Sequence, residues 1–503
     1  MFIDLGVGNL VEAVGGRRWD RRQIGREVST RIARFQARGV CRGDRVFLHF
    51  GNRLEFFAEL LALWRLGACA VPVDARLTPF EVRTLVSAAT PRLAVVDDAT
   101  DGRVAHALID AGVGVVGTTE TGTMEATAAA SRLDDDALIL FTSGSTGEPK
   151  GVLHTHRSLR ARWISLREAL GTTAFARTLC VLPTHFGHGL ICNCLFPWLS
   201  GQDLILTPPF RADILVRLGA IVDEHRITFL SSVPAVWKLA LKLGRPPRTG
   251  SLQRVHCGSA PLSASTWEDI RRWAGVRQVC NAYGITETGS WVAGLRDADC
   301  AAEDGLIGEG WGAVIKVLHT CDTSRCPGAE DECAPGESGY VWLNTPALMK
   351  GYFQRDDLTA GAVVEGWFAT GDIGVIDERG RLVLRGRERD EINKGGMKIY
   401  PADVDAVVES FEHARDVCTF AVDDPMYGQA VAMAVVLDRQ DEATLRALYQ
   451  WMKDRLAEPK MPARWWLLDE IPRTSRGKIN RESVRAACSG RPPLDLDRIL
   501  EQE

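Results

Sequence analysis

The sequence has no uninterrupted apolar stretch of about 18 residues, so no membrane-spanning helix is expected. Its most apolar run, Phe56 to Val73, is interrupted by Glu59 and Arg65 and reads as buried helix followed by strand. There is no excess of positive charge either: 60 Lys and Arg stand against 65 Asp and Glu, a net charge of -5. A protein-wide basic field of the kind that draws nucleic acid is absent, and DNA or RNA is not expected as the principal partner. Residues 1–11 lack a basic region ahead of an apolar core, so a secretory signal is not expected and a cytoplasmic location is. The 13 cysteines follow no regular spacing, which suits reduced thiols better than a disulfide framework. Cys321, Cys326 and Cys333 share one polar loop, but they form no Cys-x-x-Cys pair of the kind that marks a zinc site. A plain surface loop is the expectation there.

What is present is a chain of 503 residues, 46% hydrophobic and 25% charged, long enough for roughly three structural units at ~150 residues each. Apolar periodicity alternates between strand and helix. Residues 19–37 read as helix, 45–50 as strand, 56–66 as helix, 69–73 as strand, 79–88 as helix and 93–96 as strand. A second alternating block runs through strands at 137–141, 179–182 and 203–206 and helices at 189–198 and 214–225. This rhythm argues for parallel sheets covered by helices, an α/β fold. Residues 101–132, rich in Ala, Gly and Thr, are expected to be weakly specified connecting structure. Beyond Gly305, short apolar runs bounded by Gly, Asp and Pro suggest a compact β unit. After the charged segment Gly386-Arg387-Glu388-Arg389-Asp390 a final unit of about 100 residues is long enough for its own core.

One segment carries chemistry on its face. An apolar strand from Ala137 to Phe141 runs into Thr142-Ser143-Gly144-Ser145-Thr146-Gly147-Glu148-Pro149-Lys150-Gly151. A phosphate chain needs many donors at close range. Here glycines let the backbone approach, four hydroxyls add donors and Lys150 adds positive charge. The Walker pattern is absent, because no Gly-Lys-Ser/Thr follows. Further along, Asn281-Ala282-Tyr283-Gly284-Ile285-Thr286-Glu287-Thr288 offers a ring to stack on a base, a hydroxyl for a phosphate and a carboxylate for magnesium. Gly258-Ser259-Ala260-Pro261 places small residues after a strand, where backbone groups can border a nucleobase.

These motifs, in this order, resemble the adenylate-forming (ANL) superfamily of acyl-CoA synthetases, peptide-synthetase adenylation domains and luciferases. The resemblance extends through Gly351-Tyr352-Phe353, Gly366-Trp367-Phe368-Ala369-Thr370-Gly371-Asp372, Gly386 to Asp390, Lys394-Gly395-Gly396-Met397-Lys398-Ile399-Tyr400-Pro401 and Pro472 to Lys478, so it covers about Leu10 to Arg485. It implies a large N-terminal domain of helix-covered β-sheets with a β-barrel-like unit, residues 1–387, and a small mobile C-terminal α+β domain, residues 388–503.

The resemblance also implies roles. Thr142, Ser143, Gly144, Ser145, Thr146, Gly147 and Lys150 would form the phosphate loop. Gly258, Ser259, Ala260, Tyr283 and Gly284 would border adenine, Thr286 would contact phosphate, and Glu287 would bind magnesium. Asp372 and Arg387 would hold the ribose, Arg389 would mark the hinge, Gly396 would lie near the thiol tunnel, and Lys478 would reach the carboxylate and α-phosphate. The implied cofactors and substrates are ATP, Mg2+, coenzyme A and a carboxylic acid. The segment Ile392 to Pro401 is closer to acyl-CoA synthetases than to adenylation domains, which favours free coenzyme A over a carrier protein as acceptor. Homodimers are common among such enzymes. Two other readings remain: an enzyme confined to one half-reaction or passing the acyl group to another nucleophile, and a non-catalytic nucleotide-binding protein.

One segment departs from the pattern. Where relatives commonly have an aromatic followed by His, this chain has His185 before Phe186 and a second histidine at His188. The segment usually lines and gates the acyl pocket, which makes His185 and His188 candidate catalytic residues. Val233, Pro234 and Trp237 resemble a pocket wall, and equally suit the core face of an amphipathic helix.

Overall fold

A computed structural model of the chain describes residues 6–120, 122, 131–143, 149–208, 211–296, 300–394, 397–424, 428–456, 458–474, 477–496 and 499. Its first sheet has seven strands: Gly351–Tyr352, Pro149–Thr155, Asp136–Ser143, Cys69–Pro72, Arg45–His49, Leu93–Val96 and Gly114–Gly117, in that spatial order. The five from Asp136–Ser143 onward pair in parallel, and the first two pairings are antiparallel.

Local sequence explains the helices covering this sheet. Helix Arg21–Ala37 opens on a capping box in which Asp20 accepts from the Gln23 amide and Gln23 reaches back to the Asp20 amide. Helix Leu54–Leu66 ends at Gly67, held at φ 72°, a left-handed conformation that glycine adopts without a Cβ clash. It is buried on nearly every face, as a helix apolar all round must be. Its single fully buried carboxylate, Glu59, is matched by Arg31 Nε at 3.0 Å and by Arg34, because a charge removed from water needs partners.

The second sheet has 14 strands. Its parallel part contains Arg177–Cys180, Asp203–Leu206, Phe229–Ser232, Arg254–Gly258 and Val279–Ile285. Hydrogen bonding then continues antiparallel through Ser290–Gly294 and Leu306–Gly310 into the late β unit, where Trp367–Ile376 pairs with Leu382–Arg387. The β unit expected beyond Gly305 is thus an extension of the parallel sheet. A third sheet of five strands lies wholly within residues 392–467, and a buried core of Ile392, Val404, Val431, Leu448 and Trp465 packs against it.

Three segments differ from the sequence expectation. Residues 101–132 hold a capped helix, Gly102–Asp110, and a strand, Gly114–Gly117, that pairs with Leu93–Val96. Asp101 caps that helix by accepting from the Arg103 amide, and the alanines suit a helix interior. Residues 214–225 form two helices, Ala212–Val216 and Leu218–Glu224, broken at Arg217. Residues 188–195 form a wide helical turn with i→i+5 bonding before the short helix Phe196–Trp198, and such turns collect at functional sites. No described helix is long and apolar enough to cross a membrane.

Candidate active site

Parallel sheets offer their ligand crevice beyond the carboxyl ends of the strands. Three neighbouring strands deliver residues there: Phe229–Ser232 brings Ser231, Arg254–Gly258 leads into Ser259, and Val279–Ile285 brings Tyr283. Gly258 and Gly284 are required by packing. A Cβ on Gly258 would stand 2.2 Å from the Ala282 carbonyl oxygen, and one on Gly284 would stand 1.9 Å from that of Ser290. Ser259 follows at φ 69°, a left-handed conformation that costs energy for a residue with a side chain and that gathers at functional sites.

The strain at Ser259 has an evident use. His188 Nδ1 lies 2.9 Å from Ser259 Oγ, and its Nε2 lies 2.7 Å from Ser231 Oγ. Both ring nitrogens are therefore occupied by hydroxyls on adjacent strands. The ring also packs edge-on against Trp291 at 5.2 Å and lies 5.9 Å from the Phe186 ring. Burial, reinforced by the nearby positive charge of Lys478, lowers the His188 pKa to about 3, so the ring is neutral at physiological pH. His185 sits apart from this bridge, with Nε2 3.4 Å from Asp74 Oδ2.

A second cluster is built on two long antiparallel strands. Asp372 and Arg387 face one another in register, and Arg387 Nε donates to Asp372 Oδ1 at 2.8 Å. Tyr283 donates its phenol to Asp372 Oδ2 at 2.5 Å. Burial and the adjacent carboxylate raise the Tyr283 pKa well above its usual value, while the Asp372 charge raises that of Arg387. Both oxygens of one buried carboxylate are thus fixed before any ligand arrives.

The phosphate side is a hairpin. Strands Asp136–Ser143 and Pro149–Thr155 pair so that Thr142 faces Lys150 and Ser143 faces Pro149, and Thr142 Oγ1 donates to the Lys150 carbonyl at 3.4 Å. The connecting residues Gly144, Ser145, Thr146 and Gly147 lie outside the described residues, as does Gly396. Lys150 Nζ stands 5.9 Å from the centre of the Tyr352 ring, and Tyr352 donates to Glu287 Oε1 at 2.8 Å. Burial, with help from Glu287, pushes the Tyr352 pKa up. Behind Thr286, His154 Nε2 lies 2.8 Å from the Thr286 carbonyl; a carbonyl only accepts, so that nitrogen carries the proton. Burial lowers the His154 pKa to about 4, which keeps the ring neutral.

Lys478 reaches this crevice from the other sheet system. It lies on the loop between Arg473 and Ile479, which pair as an isolated bridge, and the Thr474 amide donates to the Lys478 carbonyl at 2.8 Å. Its Nζ stands 6.0 Å from the centre of the Phe186 ring. One lysine of the large body ties the two bodies together here: Lys238 Nζ meets Glu409 Oε1 at 2.7 Å and Asp416 Oδ1 at 3.5 Å, and within the small body Arg473 also meets Asp416. Val233 and Trp237 are buried, and the Trp237 ring packs edge-on against Trp273 at 5.6 Å.

The structure therefore gathers Tyr283, Asp372 and Arg387 in one cluster, Lys150 and Glu287 around Tyr352 in another, and His188 with Ser259 near Lys478. Sequence reasoning overlooked Ser231, His154 and Tyr352 as site residues. Tyr352 stood within a quoted motif, so its position was a usable signal; the other two had none. The residues fit a magnesium-nucleotide: this ion is commonly held by one or two carboxylates together with substrate phosphates, and Glu287 supplies one carboxylate beside Lys150.

Comparison with known proteins identifies the family. Residues 9–353 match the family model described as AMP-binding enzyme, and residues 403–478 match that of the AMP-binding enzyme C-terminal domain. The 2-succinylbenzoate–CoA ligase of Geobacillus kaustophilus (strain HTA426) is 30% identical over 462 residues, covering 89% of this chain and 88% of the relative. The long-chain-fatty-acid–CoA ligase FadD13 of Mycobacterium tuberculosis (strain ATCC 25618 / H37Rv) is 29% identical over 477 residues, covering 91% and 90%. Among solved structures, ATP-bound MatB from Rhodopseudomonas palustris superposes with a TM-score of 0.83 at 26% identity, over 96% of each chain. This chain belongs to the AMP-binding enzyme family.

Proposed function

We propose that the crevice carries out AMP-forming ligation of a carboxylic acid to coenzyme A. In the first step a carboxylate oxygen attacks the α-phosphorus of ATP and pyrophosphate leaves, giving an acyl-adenylate. In the second, a thiol sulfur attacks the acyl carbonyl, the thiol proton is released and AMP departs. The observation that carries this reading is the approach of Lys478 to Phe186 and His188, on the crevice that also holds the Tyr283–Asp372–Arg387 cluster.

The chemistry explains why each group is there. Bringing an anionic acid to an anionic nucleotide concentrates negative charge, and a compact ammonium at the meeting point offsets it. Lys478 takes that role, and Lys150 attends the phosphate chain. Magnesium, held through Glu287 when bound, would neutralise phosphate charge. Asp372 and Arg387 orient the ribose, with Tyr283 against the base. Neutral His188, tied between Ser231 and Ser259, presents no charge to the acyl group and holds that side of the crevice rigid. His185 sits with Asp74 at its edge. Gly396 would let the backbone pass close to the pantetheine arm, and the boundary between the moving parts falls after residue 387, next to Arg389.

Free coenzyme A is the proposed acceptor, because the segment Ile392 to Pro401 resembles acyl-CoA synthetases; the location proposed is the cytoplasm. A panel of aliphatic and aromatic acids with Mg-ATP tests the whole reading. Pyrophosphate release that becomes thioester and AMP when coenzyme A is added supports it. Release of neither product across the panel would sink it, and release without a thioester would restrict the chain to the first step.

A further inference from the structure

The loop between strands Val314–Leu318 and Ser338–Asn344 contains a second cluster with no part in adenylation. An isolated antiparallel bridge joins Leu318 to Glu332, with the His319 amide donating to the Asp331 carbonyl and the Cys333 amide to the Val317 carbonyl, each at 2.9 Å. That register puts His319 and Cys333 diagonally on one face. His319 Nδ1 lies 3.5 Å from Cys333 Sγ and 3.8 Å from Glu337 Oε1, and the three ligand atoms lie within 4.8 Å of one another.

The spacing is that of a metal-binding face. Zinc takes sulfur at about 2.3 Å and imidazole nitrogen at about 2.0–2.1 Å, so at a tetrahedral angle the two ligand atoms stand about 3.6 Å apart. The observed 3.5 Å needs no rearrangement, and the carboxylate has a few tenths of an ångström to close on the histidine and at most about 1.2 Å on the thiol. Glu337 is already oriented, since its Oε2 accepts from the Ala334 amide at 3.0 Å and leaves Oε1 facing the histidine. Space is kept for the thiol as well. A Cβ on Gly339 would come within 2.5 Å of Cys333 Sγ. Cys321 and Cys326 take no part: Cys321 Sγ sits 3.8 Å from Glu388 Oε1, and Cys326 neighbours Glu365.

We propose that His319, Cys333 and Glu337 form a three-ligand zinc site with a fourth position open to solvent. The mixed nitrogen, sulfur and oxygen set suits a borderline ion such as zinc and is poorly matched to magnesium or calcium, which prefer all-oxygen shells. Zinc there ties the two stems of the loop together. The same loop carries Cys321 against Glu388, next to the hinge, so the site steadies a surface on which the small domain turns.

Cobalt(II), added to the full-length chain without ATP or magnesium, is the probe. The expected result is one ion per chain with a thiolate-to-cobalt charge-transfer band, displaced by zinc. Cys333→Ser should abolish the band, while His319→Ala and Glu337→Gln should each weaken binding on the order of tenfold or more, since loss of even outer-shell partners costs that much. A Cys321→Ser/Cys326→Ser double variant should bind as the parent does. Magnesium-dependent pyrophosphate release should be unchanged in every variant, which also establishes that each one folds. No cobalt binding by the parent chain, a band that survives Cys333→Ser, or a band lost in the double variant would each overturn the proposal. The cobalt results do not bear on the adenylation reading, which pyrophosphate release tests separately.

Discussion

The two halves of the crevice are held in different ways. Asp372 is fixed from two sides by Tyr283 and Arg387, all three on strands of a single hydrogen-bonded sheet. Lys478 rests on a loop of the small body, and the network positioning it crosses between bodies through the part-exposed ion pairs of Lys238, whose partner Asp416 also holds Arg473. A sheet holds its geometry through every step, whereas contacts of this second kind are worth little individually and are readily exchanged. The difference matches a two-step reaction in which the nucleotide site must persist while the ammonium is needed only for the first displacement.

The sharpest way to break the comparison is to remove each half in turn. Lys478→Ala should lower pyrophosphate release about 100-fold or more, the usual cost of losing one electrostatic donor at a developing charge. Thioester formation from supplied acyl-adenylate should be spared, and an equal loss in both steps would contradict the division. Asp372→Asn removes the charged acceptor of both Tyr283 and Arg387. Hydrogen bonds to charged groups contribute roughly 1.5–3 kcal/mol each, so a ten- to hundredfold loss in kcat/KM for ATP is expected. Unlike the lysine variant, it should slow both half-reactions, since each holds the same nucleotide fragment.

A smaller effect is expected at the contact between bodies. Lys238→Met leaves Glu409 and Asp416 without their shared cation. Adenylation should slow about threefold, in keeping with up to about 1 kcal/mol for a part-exposed pair. The rate from supplied acyl-adenylate should hold or rise, because the pose that brings in Lys478 is less favoured. Single-turnover measurements of each half-reaction separate these outcomes.

What could be read in the sequence, and what could not, divides along similar lines. The phosphate hairpin, the Tyr283 to Glu287 segment and the Lys478 loop are local strings, so their residue types announced their chemistry before folding. The partners of those residues are not local. Tyr283 and Asp372 are separated by 89 positions, and His188 meets Ser231 and Ser259 at separations of 43 and 71. Nothing in composition links such residues; only the order of parallel strands does. His319 and Cys333 illustrate the point at short range, because 14 residues apart they look unrelated until the Leu318–Glu332 bridge folds the loop back. The helix Gly102–Asp110 was missed for another reason. Its buried Val104, Ala107 and Leu108 do fall at helical spacing, but nine residues make a short window for reading a period, and they sit in a stretch whose Ala, Gly and Thr content points to connecting structure.

The smallest expected effect concerns proton linkage and again sets the bodies apart. Burial holds His154 and His156 at pKa values of about 4 and His188 at about 3, and lowers His256 well below its usual value. All four lie in the large body, whereas within residues 392–499 the one histidine is His413, which is partly exposed. A histidine buried neutral binds fewer protons than its unfolded counterpart below about pH 6.5. Its contribution is complete above that pH and declines as pH falls toward 4, by roughly 1.4 kcal/mol per pH unit at most for each ring. His156 offers the cleanest test, since both its nitrogens are buried without hydrogen-bond partners and its ring packs edge-on against Trp64 at 5.4 Å. His156→Phe keeps an aromatic ring there and removes the titration. Urea unfolding between pH 7 and pH 5 should then show a shallower fall in stability than the parent, with most of the gain at the acid end. A parallel slope in the two proteins would mean that this ring is protonated in the folded chain, and that the large body owes its acid sensitivity to its other buried groups.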